Sequence, residues 1–513
     1  MLLHSYLEES AARLPGKVAL ITEEGEFTYR EVEAAASRLA RTLAADGLCR
    51  GDRVAIFLDS SFAAVATIFA VFKAGGVLVM VSPTAKRDKL RFILHDCRAA
   101  ACIGSFKKGS LIEEAGRGLT GLRKIYLDGE WPAGADPGGK AGESLPAVFA
   151  GGGGPEPLPG TIDIDLAAII YTSGSTGVPK GVMMTHLSMT SAAHSISSYL
   201  EETEDDVILS TLPLSFDYGL YQPIMAFKTG ATLVLEKSFS YPYRIVKTLL
   251  DRQVTGFPIV PTMSAILLQL DLRNHSFDHL RFISNTAAAL PPSHIEKLRL
   301  AFPRTRIYSM YGLTECKRVA YLPPDQLAKR PGSVGKAMPN TEVFIVDEHG
   351  NELGPGQVGE LVIRGANVMC GYWERPEETA ARLRPGRYPG ERLLYSGDLF
   401  TMDEEGYLYF VARKGEVFKS RGEKVSPVEI EKVLYELDGV VQTAVIGIPD
   451  PVLGHAIKAF VVPAAGSPLS ADQVRRHCAA RLEDYLVPQQ VEFREDLPKT
   501  ETGKLDKKAL HGR

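Results

Sequence analysis

Strand-like and helix-like segments alternate along the first half of the chain, and that order restricts the fold to layered α/β architectures. Lys17–Thr22 is strand-like. Thr28 and Glu31 then form a T-x-x-E capping box that opens a helix with Val32, Ala35, Leu39 and Leu43 on one face. Gly47 closes this helix, and Arg53–Leu58 reads as the next buried strand. Phe62–Phe72, followed by Lys73, Gly75–Gly76 and Val77–Val81, is too short and broken to span a bilayer, which takes about 20 apolar residues. It reads instead as a buried helix followed by a buried strand. The expected fold class is α/β with largely parallel sheets.

The pattern continues beyond a stretch rich in Gly, Pro and Ala, Trp131–Gly160, which shows no hydrophobic period and is expected to be a surface loop between subdomains. Leu166–Tyr171, Ala231–Leu235, Thr255–Val260, Arg281–Asn285 and Arg306–Met310 are strand-like, and His186–Leu200 is helical. From Thr341 to Phe410 short strands alternate with turns at His349–Gly350, Gly354–Gly356 and Glu405–Gly406, which suggests a small β subdomain at about 341–412. Beyond Arg413 the alternation resumes with helical Pro427–Leu437, strand-like Val440–Ile448 and Lys458–Val462, and helical Ala471–Leu482. The expected division is an N-terminal domain over 1–413 and a small α+β domain over 414–513.

A length of 513 residues, 45% of them hydrophobic and 23% charged, suits a multidomain globular protein. A net charge of −4 offers no basic footprint for nucleic acid and no polybasic membrane anchor. The six cysteines are dispersed without a C-x-x-C pair, so neither a zinc site nor a disulfide framework is suggested. The N-terminus lacks a basic n-region, and acids interrupt it before an apolar core develops, so a soluble cytoplasmic protein is expected. His275 and His279 have i,i+4 spacing but no third metal ligand nearby in sequence.

The chemistry begins at Thr172–Gly181, where four hydroxyls, three glycines and a lysine follow a buried strand. Glycines let backbone N–H groups approach an anion closely, and Thr172, Ser173, Ser175, Thr176 and Lys180 add donors around Gly174 and Gly177. This suits nucleotide phosphates. A Walker A loop does not align here, because Lys180 follows Pro179 and precedes Gly181.

Tyr171–Gly181 resembles the phosphate-loop signature of the adenylate-forming superfamily, which comprises acyl- and aryl-CoA synthetases, nonribosomal-peptide adenylation domains and beetle luciferases. Further motifs of that superfamily follow in order over nearly the whole chain. Met310–Glu315 resembles its aromatic-G-x-T-E element. The resemblance implies that Tyr311 stacks on adenine beside Gly312, that Thr314 contacts the α-phosphate, and that Glu315 helps bind Mg²⁺. Ile283–Ala289 resembles the small-residue turn beside adenine, with Ala287 and Ala288 where the family is richer in glycine. Tyr395–Asp398 resembles the Y-x-G-D element, whose Asp398 would accept from the ribose hydroxyls.

Arg413 opens a segment resembling the linker on which the family's C-terminal domain rotates. Ala412 replaces the usual glycine, and Gly415 stands where the family has Asp or Lys as hinge. Pro498–Lys504 resembles the P-x-x-x-x-G-K motif, whose lysine, Lys504, would bridge the carboxylate and the α-phosphate as the adenylation catalyst. Read alone, that stretch is a solvated basic tail, since Lys507 and Lys508 follow.

The resemblance also implies an acid-pocket entrance at Phe216, Asp217, Tyr218 and Gly219, bordered by Phe257–Thr262 with Pro261. Asp217 is ambiguous: in amino acid adenylation domains a matching aspartate pairs with the substrate ammonium, and otherwise a buried carboxylate needs a cation or backbone donors. Lys419–Lys424 resembles the segment lining the pantetheine tunnel at Gly422. The implied activity is ATP-dependent formation of an acyl-adenylate, then transfer to a thiol. Coenzyme A is the expected acceptor, with an acyl carrier protein as the alternative. Fatty, aryl and amino acids all stay open.

Overall fold

Residues 1–131, 139–151, 160–173, 179–286, 288, 290–421, 423–500 and 505–511 are described in a computed structural model of the chain. Six strands form the parallel part of the larger sheet: Val18–Thr22, Thr232–Leu235, Val207–Ser210, Gly256–Ile259, Phe282–Asn285 and Arg306–Tyr311. Past Arg306–Tyr311 the same path turns antiparallel through Ala320–Leu322 and Ser333–Ala337 to Leu408–Arg413, Arg392–Met402, Gly359–Gly365 and Thr341–Val346. The β-rich part expected at 341–412 is therefore continuous with the main sheet. A seven-stranded sheet is built around parallel Val77–Met80, Arg53–Phe57, Ala99–Gly104 and Lys124–Leu127.

Local sequence explains the helices that cover these sheets. Thr28 and Glu31 form the reciprocal capping box, and Val32, Ala35, Leu39 and Leu43 are buried on one side of Tyr29–Ala45. A cap of this kind contributes about 1 kcal/mol. The helix Phe62–Lys73 is apolar on all sides, and Ala64 to Lys73 are all buried, as such a helix requires. Lys73 is tolerated there because it pairs with Glu8 and with Glu33, the latter at 2.7 Å. No helix among the described residues is long and apolar enough to cross a membrane.

Several expectations need correction. The stretch 131–160 is not all loop: Ser144 caps a short helix, Leu145–Ala150, whose Leu145 and Val148 are buried. Phe149 packs edge-on to Phe62 at 5.7 Å, and the short helix also contacts the capped helix Tyr29–Ala45. Pro179–Thr185, unassigned from sequence alone, is a strand that folds back antiparallel on Leu166–Ser173, so the phosphate-loop motif joins two paired strands. His275 lies in irregular backbone and His279 in a turn, and His279 Nε2 is 2.9 Å from the Leu249 carbonyl oxygen. Among the described residues no cluster of three or more His, Cys, Asp or Glu is arranged to hold a metal.

The C-terminal part is a three-stranded sheet, Val440–Asp450, Gly454–Pro463 and Gln490–Phe493, with different packing on its two faces. Side chains alternate along a strand. Val445, Ile457, Ala459 and Val461 pack with Ile430, Leu434 and Val474 from the helices Pro427–Tyr435 and Ala471–Ala479, and with Phe418. Ala444, Ile446, Phe460 and Val462 form the opposite face and pack with Leu497, Leu505 and Leu510. Phe418 belongs to a small hairpin, Phe418–Ser420 with Glu423–Val425. The large α/β domain with mixed sheets and the smaller α+β domain match the expected class.

Candidate active site

The strand Arg306–Tyr311 delivers Tyr311 to the seam where parallel and antiparallel strands meet. The Tyr311 hydroxyl donates to Asp398 Oδ2 at 2.6 Å, and its ring packs edge-on to Phe400 at 4.8 Å. Asp398 and Arg413 are cross-strand partners, with Arg413 Nε 3.4 Å from Asp398 Oδ1. Asp398 is 5% exposed, and burial pushes its carboxyl up against the pull of Arg413. Three motifs separated by up to about a hundred residues of sequence thus converge on one carboxylate. A carboxylate able to accept from two hydroxyls beside a tyrosine suits a nucleoside subsite.

A sharp turn follows Tyr311. A Cβ on Gly312 would lie 2.1 Å from the Lys317 carbonyl oxygen, so only glycine admits this reversal. Thr314 and Glu315 sit half-buried on the turn. Glu315 Oε1 accepts from the Tyr372 hydroxyl at 2.8 Å. Lys180, on the strand after the phosphate loop, lies 5.6 Å from the Tyr372 ring and 3.8 Å from Glu378 Oε1. Strand Gly371–Tyr372 pairs with Pro179–Thr185, so Tyr372 joins the lysine of the loop to Glu315. Sequence reasoning missed Tyr372: no local pattern marks it, and its partner lies 57 residues away.

Glu315 suits Mg²⁺, which takes one or two carboxylates and completes its shell with water and phosphate oxygens. Among the described residues only Oε1 of Glu315 accepts a hydrogen bond from a side chain, whereas both oxygens of Asp398 are engaged.

Phe216 precedes the helix Asp217–Thr229 and lies 6.3 Å, edge-on, from Tyr218. A Cβ on Gly219 would lie 2.2 Å from the Pro213 carbonyl oxygen, so the glycine lets the helix start pack against the preceding backbone. Asp217 is half-buried, and Pro261 starts the helix Pro261–Leu267. The Tyr218 hydroxyl bonds Ser284 at 2.7 Å, which ties this entrance to the strand leading into the adenine-side turn. In that turn Ala288 is exposed and its carbonyl oxygen accepts from Asn285 at 3.1 Å.

Sequence reasoning also passed over Lys317 and Arg318, the last residues of the turn. They are 3% and 4% exposed. Lys317 Nζ lies 5.8 Å from the Tyr221 ring, and Arg318 lies 4.9 Å from the Tyr218 ring. Burial pulls the Lys317 ammonium down to about 8, opposed by the charges of Asp217 and Glu315.

Thr172 pairs with Lys180 across the hairpin, and Ser173 ends the first strand. Gly174, Ser175, Thr176 and Gly177 lie outside the described residues, as do Ala287, Gly422 and Lys504. Lys419 lies on the hairpin Phe418–Val425, and its carbonyl oxygen is 3.3 Å from His455 Nδ1. Gly415 occupies an exposed turn where an added Cβ would meet nothing within 4 Å. Around position 504 the flanks are fixed: Lys499 and Leu505 form a bridge, and Lys507 binds Glu431 at 2.7 Å. Lys507 is therefore part of the C-terminal fold and not of a solvated tail.

Comparison with known proteins agrees with this geometry. Residues 7–373 match the family model of the AMP-binding enzyme, and residues 429–504 match that of the AMP-binding enzyme C-terminal domain. A long-chain-fatty-acid–CoA ligase of Bacillus subtilis is 29% identical, covering 99% of this chain and 94% of that protein. A feruloyl-CoA synthase of an Amycolatopsis species is 33% identical over 93% of this chain and 92% of its own length. The solved structure of an anthranilate CoA ligase in complex with anthranoyl-AMP superposes with a TM-score of 0.90 at 27% identity, covering 99% of this chain and 96% of that one. With both family models matched in order along one chain, this protein belongs to the AMP-binding enzymes of the adenylate-forming superfamily, acyl-CoA ligase-like enzymes that activate an acid through ATP.

Proposed function

We propose that the protein is an AMP-forming acid–thiol ligase that makes an acyl-adenylate and then passes the acyl group to coenzyme A. The observation that carries the reading is the convergence of Tyr311, Asp398 and Arg413 on one nucleoside subsite, with Lys180, Tyr372 and Glu315 linked beside it. Named relatives that form CoA thioesters over nearly the whole chain support the choice of acceptor.

In this reading the acid's carboxylate oxygen attacks the α-phosphorus and pyrophosphate leaves. Asp398 holds the ribose hydroxyls, Tyr311 faces adenine, and Thr314 and Lys180 donate to phosphate oxygens. Glu315 would hold Mg²⁺, which when bound neutralises charge on the triphosphate. Lys504 bridges the carboxylate and the α-phosphate, favouring the crowded negative charge of the transition state. A thiolate then attacks the acyl carbon and AMP leaves, with Lys419 and Gly422 beside the pantetheine path and Gly415 at the hinge between residues 1–413 and 414–513. A soluble cytoplasmic location accords with this chemistry.

The test is acid-dependent ATP–pyrophosphate exchange across fatty, aryl and amino acids, followed by addition of coenzyme A. Wild type is expected to exchange and then release AMP with thioester. Lys504→Ala is expected to lose exchange by at least about 100-fold while its melting curve is unchanged. Unchanged exchange in that variant removes Lys504 from the mechanism. Thioester formed only on a carrier-protein phosphopantetheine would replace coenzyme A as acceptor.

A further inference from the structure

Lys317 and Arg318 are two adjacent cations buried side by side, and both are incompletely satisfied. Among the described residues the Lys317 ammonium has no hydrogen-bond partner, nor has Arg318 Nε; Arg318 Nη1 donates to Thr286 Oγ1 at 2.6 Å, and the guanidinium also interacts with the Tyr199 hydroxyl. Burying an ammonium without an acceptor is strongly unfavourable, so a sequence retains one there only against a compensating gain.

The backbone is also held in an unfavourable state to place it. Lys317 has φ +67, a left-handed conformation uncommon for a side chain of its kind, and the turn exists only because Gly312 leaves room for the Lys317 carbonyl. Both cations face the first turns of the helix Asp217–Thr229, against Tyr221 and Tyr218. Of the carboxylates whose charge reaches Lys317, Glu315 is engaged with Tyr372 and Asp217 is the other. Among the described residues, Asp217 is thus the one carboxylate near Lys317 with no hydrogen bond to another side chain.

We infer that the acid activated here carries a second anionic oxygen group, a carboxylate, which Lys317 and Arg318 receive beside Tyr218 and Tyr221. The inference rests on the acid-pocket reading of Phe216–Gly219. An incoming carboxylate would supply the acceptor that Lys317 Nζ and Arg318 Nε lack, and a charge-assisted pair in a buried site is strong. An acid with a plain alkyl end would leave both cations unanswered, and rejection of a ligand that leaves polar groups unpaired reaches large factors. A simple diacid and an acidic amino acid share this chemistry. They differ in whether an ammonium is offered to Asp217.

The experiment is pyrophosphate exchange with matched acids in which a methyl replaces the second carboxylate: succinate with butyrate, glutarate with pentanoate, terephthalate with p-toluate, and glutamate with 2-aminopentanoate. In the best pair the diacid is expected to exceed its methyl partner in kcat/KM by about 100-fold or more. Lys317→Met is expected to collapse that ratio to within about tenfold, and Lys317→Arg to restore part of it. Glutamate above glutarate would assign the acidic amino acid, and the reverse the simple diacid.

Equal use of the two members, preference for the methyl partner, or an unchanged ratio in a folded Lys317→Met overturns the inference. If that variant does not fold, the wild-type ratio alone decides. Exchange confined to acids with a single carboxylate defeats this inference and leaves acid activation standing. No exchange with any acid defeats both.

Discussion

The two ends of the turn that runs from Tyr311 to Arg318 are built on opposite plans. At its start, Asp398 has a partner for each oxygen, Tyr311 at 2.6 Å and Arg413 at 3.4 Å. At its end, Lys317 Nζ and Arg318 Nε are as deeply buried and have none among the described residues. Polar groups that meet the same nucleotide in every cycle can be prearranged by the protein, which lowers the ordering cost of binding. Groups that discriminate between acids gain selectivity by staying unsatisfied until a ligand completes them. The contrast places invariance and choice about six residues apart.

The largest expected effect is at the satisfied end. Asp398→Ala removes both contacts and the proposed ribose acceptor, and should raise the KM for ATP by about 10- to 100-fold in pyrophosphate exchange. A KM within a factor of two of wild type would dissolve the contrast, because Asp398 would then be structural. A smaller effect of opposite sign is expected at the unsatisfied end. Lys317→Met removes a buried ammonium without an acceptor and should stabilise the ligand-free protein by about 1 kcal/mol, read as a higher urea midpoint. A lower midpoint would mean that Lys317 is already paired within the protein. The smallest effect belongs outside both ends: Gly415→Ala meets open space and should leave exchange within about twofold. A large loss there would require the hinge conformations of the reaction to include one closed to alanine.

Local signals made much of the fold legible. The Thr28–Glu31 box, the all-apolar run Phe62–Phe72 and the parallel strands up to Arg306 each announce themselves within a few residues. The strand Pro179–Thr185 did not, because a glycine-rich loop and a lysine hide its alternation and its pairing with Leu166–Ser173 is what makes it a strand. The short helix Leu145–Ala150 was hidden in the same way by a compositional bias on either side.

The site divides along a similar line. Tyr311, Asp398 and Arg413 could be picked from motif resemblance, and the structure brings them together. Nothing in the local sequence singles out Lys317 and Arg318. Their burial follows from Gly312 and from packing on Tyr218 and Tyr221, about a hundred residues earlier in the chain. Tyr372 was invisible for the same reason: its significance lies in Glu315 and Lys180, which only the fold makes neighbours.

The two-faced C-terminal sheet sets a rule of precedence. Phe418 anchors the hairpin of Lys419 on one face, against Gly447, while Leu497, Leu505 and Leu510 anchor the flanks of position 504 on the other. Both are fastened to the same three strands, so neither advances without carrying the other along. In the proposed cycle the sheet would work as a turnstile: turning the face that holds the flanks of position 504 toward the cleft would turn the hairpin away, and the reverse.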